Sequence, residues 1–484
     1  MRRAAVALIL AVAVVSAVPA APKPGDPFRI AVGPAAAPKP SMTYRLIPDR
    51  RDLTPGNAST LYYRAMASFV ENSGLLKEIR QEYWQDWLDT PVNNLPMQEV
   101  GDKVQMARNL LHEIDLAAHC KDCDWQIEDR PEGIGLLLPE VQVFRAVAVV
   151  LAVKARYEIA QGKWDEACRT LQTGYAAARH FGEGPTLIHV LIGGAVARIM
   201  NDQVDALIQQ PGAPNLYWAL TDLARPFLDP ELAVEQESRM LDRMMPWVKK
   251  LDGPPLSEAG AQAVMDEMRK SIDRFESESS LVQPGELETV GQAFFLVQGV
   301  GEAKRGLAAR GKYTAEQVEA MPQFQVVSLY AYLEYRDSLD DMLKWVHAPN
   351  GLRHPGFQKA SERYGQALAR VDRLFFRGQL SGVFGVGNSV GASVQRVYGV
   401  VGRTDRRIAA LECVEALRMY AAVNGKWPDK LDAVTDVPPP DDPVTGKPFE
   451  YRVQENKAVI ATPTVTAGKS DGPDGATYEV YLRQ

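Results

Sequence analysis

The sequence predicts a mainly α protein, built from helical hairpins and closed by a small C-terminal α+β module. Two observations carry this expectation. Between residues 61 and 376, apolar side chains recur at spacings of three and four, the period of a half-buried helix. After Pro438-Pro439-Pro440 the spacing drops to two, the period of a strand.

The first residues bear on destination. Arg2 and Arg3 precede an apolar run from Ala4 to Val18, interrupted only by Ser16, and Val18-Pro19-Ala20 places small residues where a signal peptidase reads them. The run is shorter than the ~20 residues a spanning helix needs. Residues 1–20 are therefore expected to be a signal peptide cut after Ala20, giving a periplasmic or extracellular protein with no membrane span after cleavage. Residues 21–40, rich in Pro, Ala and Gly, are expected to form a flexible leader.

With 484 residues and 46% hydrophobic content, the chain can form more than one domain. Loss of Arg2 and Arg3 moves the formal charge from −7 to −9. An acidic chain without a dense Lys/Arg stripe argues against nucleic acid as a partner. Arg50-Arg51 and Arg406-Arg407 are expected to be solvated helix or loop ends.

The N-terminal helical domain is expected over 41–228. Thr43-Tyr44-Arg45-Leu46-Ile47 alternates like a short strand, and Thr54-Pro55-Gly56-Asn57 is a turn. Helices follow over Leu61–Phe69, Leu76–Leu88, with Trp84 and Trp87 on one core-facing side, and Val104–Ala118. Gly162 is placed to end a helix, and Trp164 and Ala167 to begin the next, with Ala167 small where two helices cross. A further helix runs from Thr186 to Gln209. A second helical block is expected over 229–381, in pieces Pro230–Lys250, Glu258–Glu276, Val290–Ala309, Thr314–Met321, Val326–Val346 and Pro355–Phe376. Glycine and valine dominate 382–403, which reads as a hinge. In the module 404–484, Thr404 caps a helix that Asn424-Gly425 ends, and Phe449–Val453, Ala458–Ala461 and Tyr478–Leu482 are strands. Trp427, Phe449 and Tyr451 are expected to cover Leu411, Leu417 and Tyr420 of that helix.

Three resemblances follow. Ala155, Gly162, Trp164, Ala167 and Leu171 resemble one tetratricopeptide-like hairpin. Asn424-Gly425-Lys426-Trp427-Pro428 followed by Asp442-Pro443-Val444-Thr445-Gly446-Lys447-Pro448-Phe449-Glu450-Tyr451 resembles the C-terminal region of type II secretion major pseudopilins, without that family's prepilin leader. That resemblance implies a hairpin and a calcium loop near Asp471-Gly472-Pro473-Asp474-Gly475, a stretch that a turn between strands explains equally. Tyr44-Arg45-Leu46-Ile47-Pro48, Thr54-Pro55-Gly56-Asn57-Ala58, Cys123-Asp124-Trp125, Gly162-Lys163-Trp164 and the Asp442–Phe449 run make the whole chain similar to a family of large, secreted planctomycete proteins. This implies export and architecture, with no activity attached.

Chemistry is sparse. Four cysteines include one Cys120-Lys121-Asp122-Cys123, readable as a local disulfide, two ordinary thiols, or part of a metal or redox motif. Gly387-Asn388-Ser389-Val390-Gly391 has the nucleophile-elbow pattern, which needs a later histidine, yet the last is His354. His112-Glu113 lacks the second histidine of a zinc-protease helix. Glu334, Asp337 and Asp341 share a helix face near His347, readable as a metal or acid/base set or as a solvated face paired with Arg336 and Lys344. Capping and turn hydrogen bonds account for His180 and His189. No phosphate-cradling loop occurs.

No catalytic residue and no cofactor is assigned, and the metal question stays open. The expectation is an exported, non-catalytic envelope or extracellular protein that binds other envelope or secreted proteins on helical surfaces. The alternative is an exported, hydrolase-like enzyme whose site is assembled from distant residues.

Overall fold

A computed structural model describes residues 27–71, 83–126, 140–239, 242, 246–278, 299–348, 350–374, 385–463 and 477–483. The expected signal peptide 1–20 and the Asp471–Gly475 stretch lie outside the described residues. The chain is mainly helical, with a small sheet near its C-terminus. It divides into two compact units, one dominated by 234–396 and one joining 13–126, 138–233 and 397–484.

In the second of these units, helices Ala58–Glu71, Met97–Met106, Arg108–Ala118, Glu140–Ala160, Trp164–Gly182 and Leu187–Ile208 form the body. Gly162 takes φ +70°, a left-handed conformation open to glycine, and so ends the helix before Trp164. Ala167 is fully buried, as expected of a crossing point. Thr186 caps Leu187–Ile208 by accepting a hydrogen bond from the His189 amide. Close approach is enforced at Gly193, where a Cβ would lie 2.6 Å from the Ala178 carbonyl oxygen and 2.7 Å from the Gly182 nitrogen. Trp84 and Trp87 are buried 5.4 Å apart.

The helix expected from Asp405 begins instead at Gly385 and runs unbroken to Asn424. The hinge expected over 382–403 is thus helical from Gly385 onward. Val400 of this segment packs closely on helix Leu187–Ile208, where a Cβ on Gly194 would fall 2.2 Å from Val400 Cγ1. Thr404 is no cap. It lies inside the helix, and its hydroxyl donates to the Val400 carbonyl.

The sheet holds four strands in the order β1-β6-β5-β4: β1 Phe28–Val32, β4 Glu450–Gln454, β5 Lys457–Ala461 and β6 Thr477–Leu482. β4, β5 and β6 pair antiparallel, as their alternation predicts, while β1 joins β6 in parallel. The flexible leader expected over 21–40 is therefore corrected where it is described, because its Phe28–Val32 is a strand. The strand expected over Thr43–Ile47 does not form. That stretch is turn-like, with the Thr43 hydroxyl donating to the Pro40 carbonyl. Strands β2 (Thr54–Asn57) and β3 (Cys120–Asp122) make a separate parallel pair. Trp427 and Phe449 are buried, Trp427 Nε1 donates to the Asn456 carbonyl, and the Tyr451 hydroxyl donates to the Pro428 carbonyl.

The other unit is a set of helices: Glu258–Glu278, Val300–Ala309, Ala315–Ala320, Gln323–Leu343 and Asn350–Arg373. Thr314 and Gln317 form a reciprocal capping box at the start of Ala315–Ala320. Gln323–Leu343 and Asn350–Arg373 make a hairpin, with Tyr335 and Tyr364 in edge contact at 6.3 Å. Gln325, fully buried, donates to the Leu251 and Pro254 carbonyls and accepts from the Leu256 amide, tying a loop to the hairpin.

Candidate functional site

Among the described residues, the densest concentration of buried ionisable groups lies on the C-terminal part of Gly385–Asn424. Asp405, Arg406, Arg407, Glu412, Glu415 and Arg418 are all buried there, among Ile408, Leu411, Val414 and Leu417. A buried charge costs several kcal/mol unless paired and hydrogen-bonded, so each partner matters. Asp405 accepts from the Phe227 amide at 2.8 Å. Arg406 makes two bonds to the Asp442 carboxylate, at 2.9 and 3.1 Å. Asp442 also accepts from the Val444 and Thr445 amides and the Thr445 hydroxyl, which folds the loop as far as Gly446, at φ +66°.

Glu415 and Arg418 form a second knot. Arg418 donates to Glu415 at 2.7 Å and to the carbonyls of Gly33, Ala213 and Pro214. Glu415 accepts from the Leu216 amide at 2.9 Å. Glu412 pairs with Arg225, and burial pushes its carboxyl up to about 7 although Arg225 opposes the shift.

Arg407 is the centre of a third group. Its guanidinium pairs with Asp205 and with Asp202 at 3.3 Å, and lies 3.5 Å from the centre of the Phe28 ring and 4.9 Å from that of Tyr478. Arg198 faces Asp202 at 3.5 Å. Burial lifts Asp205 to about 7, with Arg407 pulling it down and Asp202 pushing it up. The Tyr478 hydroxyl faces the Asp205 carboxylate. Even so, Asp205 Oδ1, Arg407 Nη1, Arg198 Nη1 and the Tyr478 hydroxyl meet no partner at hydrogen-bond geometry. A carboxyl near neutrality with an open oxygen has the form of a proton donor or acceptor. All four atoms are sealed from solvent, however, so what the arrangement does is clamp. It holds helix Leu187–Ile208, the long helix, β1 and β6 together.

The expectation that Arg406-Arg407 is a solvated end is thus overturned. The helix is buried on all sides from Thr404 to Met419, so the two charges are met by Asp442, Asp205 and the partly buried Asp202.

The two histidines near Gly182–Pro185 lie in an aromatic cluster. The Tyr62 hydroxyl and His180 Nδ1 share a hydrogen bond at 3.0 Å, and Trp125 Nε1 donates to the His180 carbonyl. Burial, helped by Arg179, lowers His180 to about 4, and burial lowers His189 to about 4. Both rings are therefore neutral near pH 7. His189 shares a 2.7 Å hydrogen bond with the Thr186 hydroxyl, the local capping role its position implied. Cys120, Cys123, Cys168 and Cys413 are free thiols. Burial pushes all four upward, Cys168 to about 12, so none is an activated nucleophile.

The remaining sequence candidates are placed as follows. Glu334 pairs with Arg310 and Arg370, Asp337 with Arg310, and Asp341 with Lys344 and Arg363. Lys344 is the neighbour expected, but Arg336 turns to Asp242 at 3.6 Å and Asp340 at 3.9 Å. His347 is exposed. Glu113 pairs with Arg64 at 2.6 Å. Ser389 lies inside a helix, not at the strand-to-helix turn that exposes an elbow nucleophile. Among the described residues, no group of three or more His, Cys, Asp or Glu is arranged to hold a metal ion, and no helix is long and apolar enough to cross a membrane.

Sequence reasoning passed over Asp202, Asp205, Glu412, Glu415 and Arg418, and read Asp442 only as part of a hairpin motif. One signal was present for the helix: charged residues embedded in a run apolar on all sides, which only internal partners can accommodate. No family model matches the chain, no curated protein matches it, and no solved structure matches it.

Proposed function

We propose that this is an exported, non-catalytic protein of the envelope or extracellular space that holds other proteins on its helical surfaces. In this reading Glu140–Ala160 with Trp164–Gly182 is a tetratricopeptide-type pair, and the C-terminal part is pseudopilin-like within a secreted planctomycete family. One observation carries the non-catalytic part. The carboxylates raised furthest by burial, Asp205 and Glu412, are each taken up by an arginine, Arg407 and Arg225, and the free oxygen of Asp205 is sealed from solvent. Exposed Met106 (52%) and Leu116 (41%) supply apolar contact on the helical body.

The enzyme reading has one observation in its favour, the open oxygen of Asp205 with its raised pKa. It requires a motion that uncovers that oxygen. A photo-crosslinking amino acid placed at Met106 or Leu116 in the native host tests the proposal. Discrete adducts with envelope or secreted proteins are expected. Uncrosslinked protein recovered from the cytosol would overturn it.

A further inference from the structure

Strand β1 is joined to the sheet by residues remote in sequence, and its contacts resemble those of a bound peptide. Its five residues pair in register with Tyr478 to Leu482. The Phe28 ring stacks on Tyr478 at 5.1 Å, beneath the Arg407 guanidinium. Ile30 and Val32 are buried. The Ala31 amide donates to Gln209 Oε1, and the Arg483 amide donates to the Val32 carbonyl. Beyond the strand, Arg418 donates to the Gly33 carbonyl, the Ala35 amide donates to the Arg418 carbonyl, and Asn215 donates to the Ala35 carbonyl.

Beyond the ladder with Tyr478 to Leu482, the polar backbone contacts just named are made by Gln209, Asn215, Arg418 and Arg483, and none by a sequence neighbour. Arg418 and Tyr478 are themselves buried. Residues 33–53 contain neither helix nor strand; Ala36, Lys39, Pro40, Ser41 and Thr43 are exposed, and the chain is anchored again at the buried Leu46 and by Gln172, which donates to the Ile47 carbonyl. The segment 28–35 is therefore joined to the rest of the chain through the largely exposed stretch 36–43, and lies in a slot that reads an aromatic residue and two alternate aliphatic residues. Added strands bind in this way, with main-chain pairing giving affinity and alternate side chains giving specificity.

We propose that this slot is a strand-binding site whose occupant exchanges between copies, the segment 28–35 of a second copy entering where the chain's own segment leaves. The match of slot to sequence selects that occupant, since Arg407 is placed for Phe28 and the polar groups for the backbone up to Ala35. The stretch 36–43 supplies the reach. Exchange of an identical element between protomers is a low-cost route to a dimer. The inference is independent of the helical surfaces invoked above, because it concerns the sheet edge alone.

The facing pair Arg29 and Glu479 provides the test. Arg29 is 70% exposed, and the two side chains meet at 3.1 Å across the β1–β6 ladder. Neighbouring strands lie ~4.8 Å apart, within the reach of a disulfide. One full-length chain carries Arg29→Cys and another Glu479→Cys, and the two are mixed, incubated and oxidised with diamide. A covalent heterodimer is expected that neither variant forms alone. A synthetic peptide of residues 27–36 should suppress it, and the same peptide with Val32→Asp should not. The chain carrying both substitutions should link internally. An internal link in that chain with no heterodimer from the mixture overturns the exchange. Absence of the internal link overturns the register and the slot with it, as does equal suppression by both peptides.

Discussion

Arg418→Met is the sharpest perturbation the fold offers. The guanidinium is 1% exposed and makes four hydrogen bonds: to Glu415 and to the carbonyls of Gly33, Ala213 and Pro214. Methionine fills similar space and donates nothing. Glu415, fully buried, would then keep the Leu216 amide as its side-chain donor and lose its counter-charge. Removing one partner of a buried ion pair costs about 3–5 kcal/mol. At about 2–4 °C per kcal/mol for a domain of 150–250 residues, that lowers Tm by roughly 6–20 °C. Thermal and urea unfolding followed by circular dichroism would measure it. Adding Glu415→Gln removes the stranded charge and should restore part of the loss. A change below about 1 kcal/mol, the worth of an exposed pair, would refute the reasoning and show that Glu415 reaches water.

Three further outcomes follow from the same packing. Asp205 keeps its proton to about pH 7 when folded, against an ordinary 3.8, so its contribution to stability falls as pH rises from about 4 to about 7. His180 and His189, lowered from 6.5 to about 4, contribute stability that is lost as pH falls through that window. Asp205→Asn should therefore unmask a steady weakening on acidification in urea midpoints, and a profile parallel to wild type would contradict the assignment. Gly193→Ala should cost about 1–3 kcal/mol by overpacking against backbone, and more than Gly174→Ala, whose added methyl has the Met200 side chain, and no backbone, as its nearest neighbours. Equal unfolding midpoints would show that the two helices separate freely. Finally, a thiol reagent should modify four cysteines in denaturant without reductant and react slowly in the folded chain. Two modifications would reveal a disulfide.

The legible parts of this fold are those whose partners lie nearby in sequence. The helix Leu187–Ile208, its Thr186 cap, the Gly162 break and the Thr314 start all follow from local rules of period and capping. The three C-terminal strands follow from alternation after the proline run. What failed was set by distant partners. Phe28-Arg29-Ile30-Ala31-Val32 does alternate, but its proline- and alanine-rich surroundings outweigh five residues whose partner begins at Tyr478. Glycine and valine weaken an isolated helix over 385–403, and a distant partner, Gly194, meets it near Val400. Tyr44-Arg45-Leu46 alternates just as well, but makes no strand. The buried clamps were hidden for the same reason. Arg407 has the composition of a surface residue until Asp202 and Asp205 are placed against it.

The parallel pairing of Phe28–Val32 with Thr477–Leu482 also sets a clock. Arg29 meets Glu479 across 450 residues of chain. At synthesis rates of about 5–20 residues per second, the first strand waits roughly 20–90 s before its neighbour has been made. Throughout that interval a half-apolar edge has no ladder to join. The helices Glu140–Ala160, Trp164–Gly182 and Leu187–Ile208 can pack on one another meanwhile, but the clamp around Arg407 cannot close. Any nascent chain stopped before Thr477 leaves Phe28–Val32 permanently unpaired, so a stop there is felt first by a strand some 450 residues earlier in the sequence.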